Sequence, residues 1–563
     1  MTRPAGSSSL IRAFEMQTPF NLLDESWLPI RRRDGAAETI RPSEITSDID
    51  SNPIVAIDWP RADFRVAAIE FLIGLIATAC PPPPGDDEAW LDGWEAPPGP
   101  EALARSFAPL LSAFDLDGPG PRFLQDLDEL PGDPESPETL LIEAPGENTL
   151  ENNRALFVKP DRITRLARPA AAMALFTLQC YAPQGGRGYR TSVRGGGPLT
   201  TLAMPGLDPC PLWHLVWANV PNGKAAGAAD LPRVFPWLAP TRTADRFPAT
   251  TPLEAHPLQA FWGMPWRVRL ELAENADRLP CDVTGIVDDI VVIRWRKKDN
   301  GVKYVGWARV HPLSPISKDT HGGGWHSRLA KAGIGYRDWV AIALGDAPGT
   351  SFPARSVSAW KTRKPKSASH ASVESRLLAA GYNFVNNRKA YAFVESEMPL
   401  PGTDPASAEA FACVARHLVA AAEIAARSLR LSVRDACFER DTKPDAASLA
   451  VVYESFWRAT GEPFFTLLRQ AGASDPDAGL TRVARGWQEV LRAAALRLFD
   501  QAAPLDPAAA SFDPRKIVRA RLNLVRTLSG YGAQGIAFFG QLGLPEPEPA
   551  KRGGRRRNAR GTA

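Results

Sequence analysis

The residue types that perform catalysis occur in this chain without the spacing that catalysis needs. Gly223 and Lys224 are followed by Ala225 and lack an upstream glycine, so they do not form a GxxxxGK[ST] phosphate-binding loop. The sequence contains neither HExxH nor GxSxG. Its seven histidines are scattered, and the adjacent Asp288 and Asp289 are typical of a turn or strand edge. We therefore expect no metal, no cofactor and no enzymatic activity.

A strong excess of positive charge marks residues 154–194. Eight basic side chains stand against the single carboxylate of Asp161. They are Arg154, Lys159, Arg162, Arg165, Arg168, Arg187, Arg190 and Arg194. Charges of one sign at this density suit a phosphate backbone. The alternative is a solvated face beside a glycine-rich turn.

The same segment contains two groups of glycines. Gly185, Gly186 and Gly188 precede Tyr189, and a second run occupies 195–197. Glycines allow the backbone to approach a ligand closely, but no strand clearly precedes this group and no GxGxxG frame fits it. A β-turn with a bulge is the alternative interpretation.

Three further segments have the composition of nucleic-acid contacts. Residues 294–303 and 355–366 are basic, and the second of them includes Trp360. Residues 381–400 place a polar tip, 386–389, between aromatic runs. Asn, Arg and Lys side chains can hydrogen-bond to base edges or phosphates. Exposed loop tips and a simple hairpin turn are the alternatives.

The elements that must hold these segments differ along the chain. The 44 glycines and 53 prolines indicate long irregular connections, mainly in the N-terminal two thirds. Runs rich in β-branched and aromatic residues at 266–272 and 289–296 predict strands, whereas 64–79 and 101–114 predict helices. We expect residues 20–401 to form a large α+β domain with long loops.

After residue 401 the composition changes to Ala, Leu and Arg with helical spacing. Apolar stripes bounded by Pro or Gly predict an antiparallel four-helix bundle over 402–548. The four predicted helices are Ala406–Phe438, Ala446–Gly472, Leu480–Asp500 and Pro514–Ser529. We expect residues 1–19 to form a flexible extension and 549–563 a disordered basic tail.

Net charge and cysteine usage narrow the class of protein. The last thirteen residues carry six basic side chains and no acidic one, so the rest of the chain has a net charge of −3 against +3 for the whole, and is mildly acidic. The longest apolar run, Val66 to Cys80, is short and contains Glu70, so we expect no membrane association. Six dispersed cysteines fit a reducing compartment, and no signal segment is evident. A cytoplasmic protein is predicted.

Five stretches, in order, resemble the CasA family, the large subunit of the type I-E CRISPR surveillance complex Cascade. They are FNLLDESWLPIRRRDG, ALFTLQCYAPQGGRGYRTSVRGGGPLTTL, FWGMPWRVRLEL, WARVHPLSP and GYNFVNNRKAYAFVESEMPLP. The resemblance implies a non-catalytic subunit that binds target double-stranded DNA and senses the protospacer-adjacent motif (PAM) from the minor groove. It also implies that the subunit helps to open the duplex and recruits a helicase-nuclease effector. The other implied partners are the remaining Cascade subunits and the CRISPR guide RNA.

The resemblance also assigns roles to particular residues. The PAM-contacting glycine loop corresponds to Gly185, Gly186, Arg187 and Gly188, with Lys298, or alternatively Lys303, as a PAM-contacting lysine. The strand-separating tip corresponds to Asn387, Arg388 and Lys389, where a relative carries Asn-Gln-Ala. The loop that engages guide RNA and the complex corresponds to Phe157, Val158, Lys159, Arg162 and Ile163.

Two further expectations complete the set of sites. From their basic segments we expect DNA-backbone contacts by Arg190, Arg194, Lys361, Arg363 and Lys364. Some relatives have clustered cysteines before the lysine stretch; only Cys281 stands there in this chain, so we expect no zinc.

Two alternative functions predict different behaviour. A metal-dependent nuclease or hydrolase with carboxylates dispersed in the sequence would cleave DNA. A generic RNA-binding scaffold would bind RNA without preferring a duplex sequence.

Overall fold

The computed structural model describes most of the chain. The described residues are 18–145, 161–185, 188–319, 323–330, 333–346, 349–363, 374–385, 389–400, 405–438, 446–472, 475–503 and 513–547. The predicted tail at 549–563, and residues 1–17 of the predicted extension, lie outside them. Two compact units result: residues 1–334 with 341–402, and residues 335–340 with 403–563.

The first unit is built around two helices rich in apolar residues. Helix α1 (Ala62–Ala79) is almost wholly buried, and its Phe71 makes edge-on contacts with Trp27, Phe114, Phe176 and Trp262. Helix α4 (Arg168–Tyr181) packs against α1. Large rings meeting edge to face fill the core densely.

The described residues of the first unit also form four three-stranded antiparallel sheets. Their strand orders are β2-β1-β3, β4-β7-β6, β12-β11-β5 and β10-β8-β9. The strands are β1 (Leu28–Arg32), β2 (Ala37–Ile40), β3 (Ile54–Ile57), β4 (Leu166–Ala167), β5 (Thr200–Met204), β6 (Arg267–Glu274), β7 (Ile290–Lys298), β8 (Ile316–Lys318), β9 (Trp325–Ser327), β10 (Ser351–Phe352), β11 (Arg376–Val385) and β12 (Lys389–Pro399). The strands predicted at 266–272 and 289–296 are confirmed as β6 and β7.

Shorter helices complete the first unit. They are α2 (Asp87–Glu95), α3 (Pro100–Phe107), α5 (Leu212–Asn219), α6 (Leu231–Val234), α7 (Gln259–Trp262) and α9 (Arg355–Arg363). The predicted helix 64–79 is confirmed as α1, whereas the predicted helix 101–114 is α3 followed by a 3-10 turn at Ala108–Ala113. Pro109 lacks the backbone N–H that an α-helical hydrogen bond would need there, which favours the change.

The second unit is helical. Its helices are α8 (Tyr336–Trp339), α10 (Pro405–Cys437), α11 (Ala446–Ala471), α12 (Pro476–Ala502), α13 (Pro514–Leu528) and α14 (Gly532–Gln541). The mixed fold class with a C-terminal helical region is confirmed. The four predicted helices correspond to α10–α13, and the structure adds α8 and α14. Helix α14 contains Gly532, Gly535 and Gly540, which disfavour a helix in sequence-based reasoning.

Helices α11 and α12 of the bundle run in opposite directions. A Cβ built on Gly479, near the start of α12, would lie 3.0 Å from the carbonyl oxygen of Ala471 at the end of α11. One built on Gly486, further along α12, would lie 3.5 Å from Leu467, earlier in α11. Gly535 allows the same closeness at the end of the bundle, because a Cβ there would lie 2.9 Å from the carbonyl oxygen of Thr527.

Candidate nucleic-acid interface

The first glycine group lies in the connection between α4 and β5, against the turn that follows β7. Gly188 has a φ of +93°, and a Cβ on it would lie 2.6 Å from the Cβ of Asp299. Its carbonyl oxygen accepts a hydrogen bond of 3.1 Å from the backbone N–H of Asn300. Only glycine combines this backbone conformation with so close an approach. Gly186 and Arg187 lie outside the described residues.

This contact brings two predicted site segments together. Lys298 ends β7, directly before the turn that Gly188 contacts, and its side chain is half-buried. Lys303 is exposed, and its backbone carbonyl accepts a hydrogen bond of 2.8 Å from the N–H of Thr250. The structure therefore places Lys298 next to the glycine loop although more than a hundred residues separate them.

The second glycine run contacts the hairpin formed by β11 and β12. Gly197 has a φ of +73°, and a Cβ on it would lie 2.4 Å from Cδ2 of Phe384 and 2.7 Å from the carbonyl oxygen of Tyr382. Lys389 begins β12 opposite Val385, whereas Asn387 and Arg388 at the tip lie outside the described residues. The glycine-rich connection, which joins α4 to β5, therefore contacts two elements. One is the turn after β7, between Lys298 and Lys303, here called the lysine turn, and the other is the end of β11 at the base of the hairpin tip.

An aromatic cluster supports the connection just after Gly188. The ring of Tyr189 lies 5.0 Å from that of Trp266, and the Lys297 ammonium lies 5.4 Å from the Tyr189 ring centre. Trp266 donates a hydrogen bond of 2.8 Å from Nε1 to the carbonyl oxygen of Arg190. The Nε of Arg190 is buried and has no hydrogen-bond partner among the described residues. Its contact with the DNA backbone stays a prediction.

Arg194 is a correction to the predicted DNA-backbone set. Its side chain is 2% exposed and forms a 2.7 Å ion pair with Glu70, which is 0% exposed. The guanidinium also lies over the ring of Tyr181, at 5.2 Å. Because these partners enclose the charge, Arg194 is part of the core and does not present its side chain to a phosphate.

Arg363 is a second correction. Its side chain is 8% exposed, its guanidinium lies 5.5 Å from the Trp90 ring centre, and it donates hydrogen bonds to the carbonyl oxygen of Val220 and to Oδ1 of Asn222. Burial lowers the pKa of Arg363. Its side chain is therefore held within the first unit and is not presented to a phosphate.

Lys361 donates to the carbonyl oxygen of Ala343, and burial lowers its pKa to about 8. A DNA contact by Lys361 stays a prediction, and Lys364 lies outside the described residues.

The predicted guide-RNA loop is described only at its C-terminal end. Arg162 is exposed and Ile163 is half-buried, while Phe157, Val158 and Lys159 lie outside the described residues. The Asp282 carboxylate accepts hydrogen bonds from the backbone N–H groups of Thr164 and Arg165, at 2.7 and 3.1 Å. This anchors the end of the loop to the β6–β7 connection.

Sequence reasoning assigned no role to two buried carboxylates on α1, Asp63 and Glu70, which bond residues of the hairpin and of the glycine-rich connection. Glu70 receives Arg194 and also lies near His311, whose Nε2 is 3.3 Å from Oε1 of Glu70. Burial alone would raise the pKa of Glu70, but the Arg194 charge and the His311 contact lower it to about 2. Burial, followed by the Arg194 charge, lowers the pKa of His311 to about 4. At neutral pH the group is therefore a carboxylate, a guanidinium and a neutral imidazole.

The second carboxylate, Asp63, lies in the first turn of α1 and is 3% exposed. It accepts a hydrogen bond from the hydroxyl of Tyr382 on β11. Arg61 bonds both Asp63 and Glu143. Two acidic residues seven positions apart in a mostly apolar helix were the available sequence signal, because that spacing places them on one helix face.

The described residues contain neither a metal-binding cluster nor a membrane-spanning helix. No group of three or more His, Cys, Asp or Glu side chains is arranged to hold a metal ion among them. Within the same residues, none of the helices is both long enough and apolar enough to cross a membrane.

The same fold occurs in solved CRISPR proteins. CasA (Cse1) of Thermus thermophilus is 17% identical, with a TM-score of 0.63 over 93% of this chain and 100% of that one. Cse1 of Acidimicrobium ferrooxidans is 20% identical, with a TM-score of 0.63 and the same coverages. A chain of a CRISPR RNA-guided surveillance complex is 18% identical, with a TM-score of 0.60 over 90% of this chain and 100% of that one.

The fold is therefore that of the CRISPR-associated Cse1 proteins. The family model for CRISPR-associated protein Cse1 matches residues 21–498. The chain belongs to the Cse1 family, the CasA large subunits of type I-E Cascade.

Proposed function

We propose that this chain is a non-catalytic subunit that binds target double-stranded DNA, reads the PAM from the minor groove and helps to open the duplex. The observation that carries the proposal is the contact between the Gly188 carbonyl and the Asn300 amide, which joins the glycine loop to the lysine turn. Family membership supplies the biological setting, and the joined loops supply a surface with the required chemistry.

The glycine loop supplies the sequence-reading part. Gly185 and Gly188 carry no side chain, so backbone groups can approach base edges closely. The minor groove distinguishes A·T from G·C pairs but is otherwise degenerate, so the protein would tolerate several related PAM sequences. Lys298 and Lys303 add positive charge beside the loop, where phosphates or groove-edge acceptors would lie.

The hairpin tip supplies the strand-opening part. Asn387, Arg388 and Lys389 would enter the duplex next to the PAM and hold the separated strand by stacking or by binding its phosphates. Gly197 lies against Phe384, so the tip begins close to the glycine-rich connection. PAM contact and strand opening would then occur at adjacent positions on the DNA.

The remaining partners follow from the same setting. A chain of similar fold comes from a CRISPR RNA-guided surveillance complex. We accordingly propose association with guide RNA and other Cascade subunits, with residues 157–163 engaging the RNA. After duplex opening, the bound complex would recruit the helicase-nuclease effector. Guide-RNA pairing would then read the remainder of the target.

A PAM-library binding experiment tests the DNA-reading part. Cascade is assembled with this chain and a guide RNA, and bound targets are sequenced for wild type, Lys298→Ala, Lys303→Ala and the control Lys318→Ala. Lys318 is an exposed lysine on β8. We expect Lys298→Ala to weaken PAM discrimination about tenfold, as loss of a base-edge contact worth about 1–3 kcal/mol does. An unchanged PAM profile in both Lys298→Ala and Lys303→Ala would remove the lysine turn from the proposal.

Strand opening is tested separately with the Asn387→Ala, Arg388→Ala, Lys389→Ala triple variant. Permanganate reactivity of PAM-proximal thymines reports opening in a closed duplex and in one with a pre-formed bubble. We expect slower opening of the closed duplex and normal binding to the bubble. Unchanged opening would contradict the assignment of the tip. Cleavage of DNA by the purified wild-type chain with Mg²⁺ or Mn²⁺ would contradict a non-catalytic role.

A further inference from the structure

We propose that helix α1 is the common base of the DNA-opening site, with Glu70 and Asp63 as positioning residues for the glycine loop and the hairpin. This inference rests on the proposed function and deepens it. Neither carboxylate would touch DNA, because Asp63 and Glu70 are 3% and 0% exposed. They would act by fixing the places from which Gly188 and the hairpin tip reach the duplex.

Glu70 fixes the glycine-rich connection through Arg194. One guanidinium nitrogen of Arg194 lies 2.7 Å from Oε1 of Glu70 and 3.4 Å from the carbonyl oxygen of Cys180, on α4. The other lies 2.8 Å from Oγ1 of Thr200 at the start of β5. Arg194 therefore bonds both ends of the connection that carries the glycines. Its ion pair with Glu70 attaches the connection to α1.

Asp63 and its neighbours fix the hairpin. The Tyr382 hydroxyl donates to Asp63 from β11, three residues before the strand ends. Arg65, also in the first turn of α1, lies 3.5 Å from Glu395 on β12. Both strands of the hairpin are therefore joined to one helical turn. Arg61 keeps Asp63 paired by bonding it and Glu143.

The helix sets the distance between the two attachments. Seven residues of α-helix correspond to two turns and about 10 Å along the axis, so Asp63 and Glu70 lie on one face. The connection and the hairpin also meet directly, because Gly197 lies against Phe384. Burying charged groups costs free energy because they lose their contacts with water, whereas burying apolar side chains has no such cost. Directional bonds in return fix the position of the loops, as supporting residues do in other precise sites.

The most selective test is Tyr382→Phe, which removes the hydroxyl bonded to Asp63 and keeps the ring. Its matched control is Tyr453→Phe, because the Tyr453 hydroxyl donates to the Glu423 carboxylate at 3.0 Å in the second unit. Assembled complexes are compared for opening rate on a closed target and for affinity to a target with a pre-formed bubble beside the PAM. We expect about tenfold slower opening for Tyr382→Phe, since small displacements of positioned groups have effects of this size or larger. Bubble affinity should stay within about twofold, the expectation for a surface that is intact but misplaced.

Glu70→Gln and Arg194→Lys test the glycine-loop attachment. Gln keeps the shape of the side chain without its charge, and Lys keeps the charge without the two-pronged donor geometry. We expect both to weaken PAM discrimination on closed targets, with Lys restoring part of what Arg194→Met loses. Circular dichroism and complex yield report folding. If the Glu70 and Arg194 variants fail to assemble, Tyr382→Phe decides the inference by itself.

The triple variant of Asn387, Arg388 and Lys389 distinguishes a failure of the proposed hairpin function from a failure of the positioning role of α1. If that variant opens DNA normally, the proposed function of the hairpin fails, and this inference fails with it. If the triple variant slows opening and Tyr382→Phe does not, the positioning role of α1 is overturned while the proposed function stands. An equal loss of closed-target and bubble binding in Tyr382→Phe would also overturn it, because that result indicates general instability.

Discussion

Apolar side chains pack both cores, but among the described residues the core of the first unit also contains buried charged groups. In the first unit, Asp63, Glu70, Arg194 and His311 are buried and bonded to one another or to residues of the loops and hairpin. In the second, the inner face of α10 is formed largely by alanines, among them Ala421, Ala422, Ala425 and Ala426. Of the bundle ion pairs between described residues, even Arg337 with Glu454 is partly exposed.

This difference indicates which segments must be positioned precisely. Small apolar side chains let helices approach closely, and their contacts have little directional preference. A buried ion pair is directional, and its partners must be placed within a few tenths of an ångström. The first unit uses the directional contacts at the segments that carry the candidate DNA-binding residues. The bundle uses packing around Tyr336, whose ring stacks on Phe464 at 4.4 Å.

The largest expected effect is that of Arg194→Met on the first unit. The substitution leaves the Glu70 charge buried without its main partner, which should lower the local free energy of unfolding by about 3–5 kcal/mol. Native-state hydrogen exchange on the full chain measures this at α1 and β5, with the amides of α12 as the internal comparison. A loss below about 1 kcal/mol at α1 would show that the ion pair does not distinguish the two cores.

Lowering the pH should reduce the stability of the first unit through the same buried residues. The pKa of His311 is about 4 in the folded chain against an ordinary value of 6.5, so the unfolded chain takes up this proton first as the pH falls. Stability of the first unit is therefore full above pH 6.5 and is lost progressively down to pH 4. The loss is on the order of 3 kcal/mol, since each pKa unit corresponds to about 1.4 kcal/mol. Between pH 4.5 and 2, Glu70 adds a second loss, because its folded pKa is about 2 against an ordinary 4.5.

The control for this pH dependence is His311→Asn. We expect its exchange-derived stability at α1 to change less between pH 7 and 4 than that of the wild type. An equally steep decline in the variant would assign the acid sensitivity to other groups.

Tyr336→Phe should have the smallest effect of the three. The Tyr336 hydroxyl lies 2.8 Å from Oγ1 of Thr460, which also donates to the Phe456 carbonyl at 2.8 Å. Because Thr460 keeps that bond and the stacked ring remains, the loss should be about 1 kcal/mol. Hydrogen exchange at α11 provides the measurement. A loss as large as that from Arg194→Met would show that the bundle also depends on a directional polar contact.

Secondary structure was predictable where one local pattern dominated. The predicted helix Ala446–Gly472 differs from α11 by a single residue, because its apolar stripe and flanking breaks are local signals. Helix α8 was not predicted, since one helical turn has no period to detect and its Tyr336 and Trp339 acquire partners only in the folded unit. Helix α14 was missed because its glycines oppose local helix propensity, and the close packing that Gly535 allows arises only in the folded bundle.

The candidate site was predictable in its composition and less so in its geometry. The positive charge of 154–194 was counted from the sequence, but counting does not reveal partners. Arg168 forms a 2.6 Å ion pair with Asp288 and lies 3.6 Å from Asp117, both distant in sequence. Arg194 is similarly neutralised by Glu70. A basic residue in a sequence indicates a phosphate contact only when folding leaves it exposed.

By itself, the sequence determined the family, the mixed body and the helical C-terminal region, and it supplied the segments that we propose to contact nucleic acid. These depend on local periodicity and on motifs in a fixed order. Only the tertiary structure decided that Gly188 meets Asn300, that Gly197 meets Phe384, and that Asp63 and Glu70 connect both regions to one helix. The physical reason is that burial and pairing arise between residues far apart in the chain, whereas propensity and charge are properties of each residue where it stands.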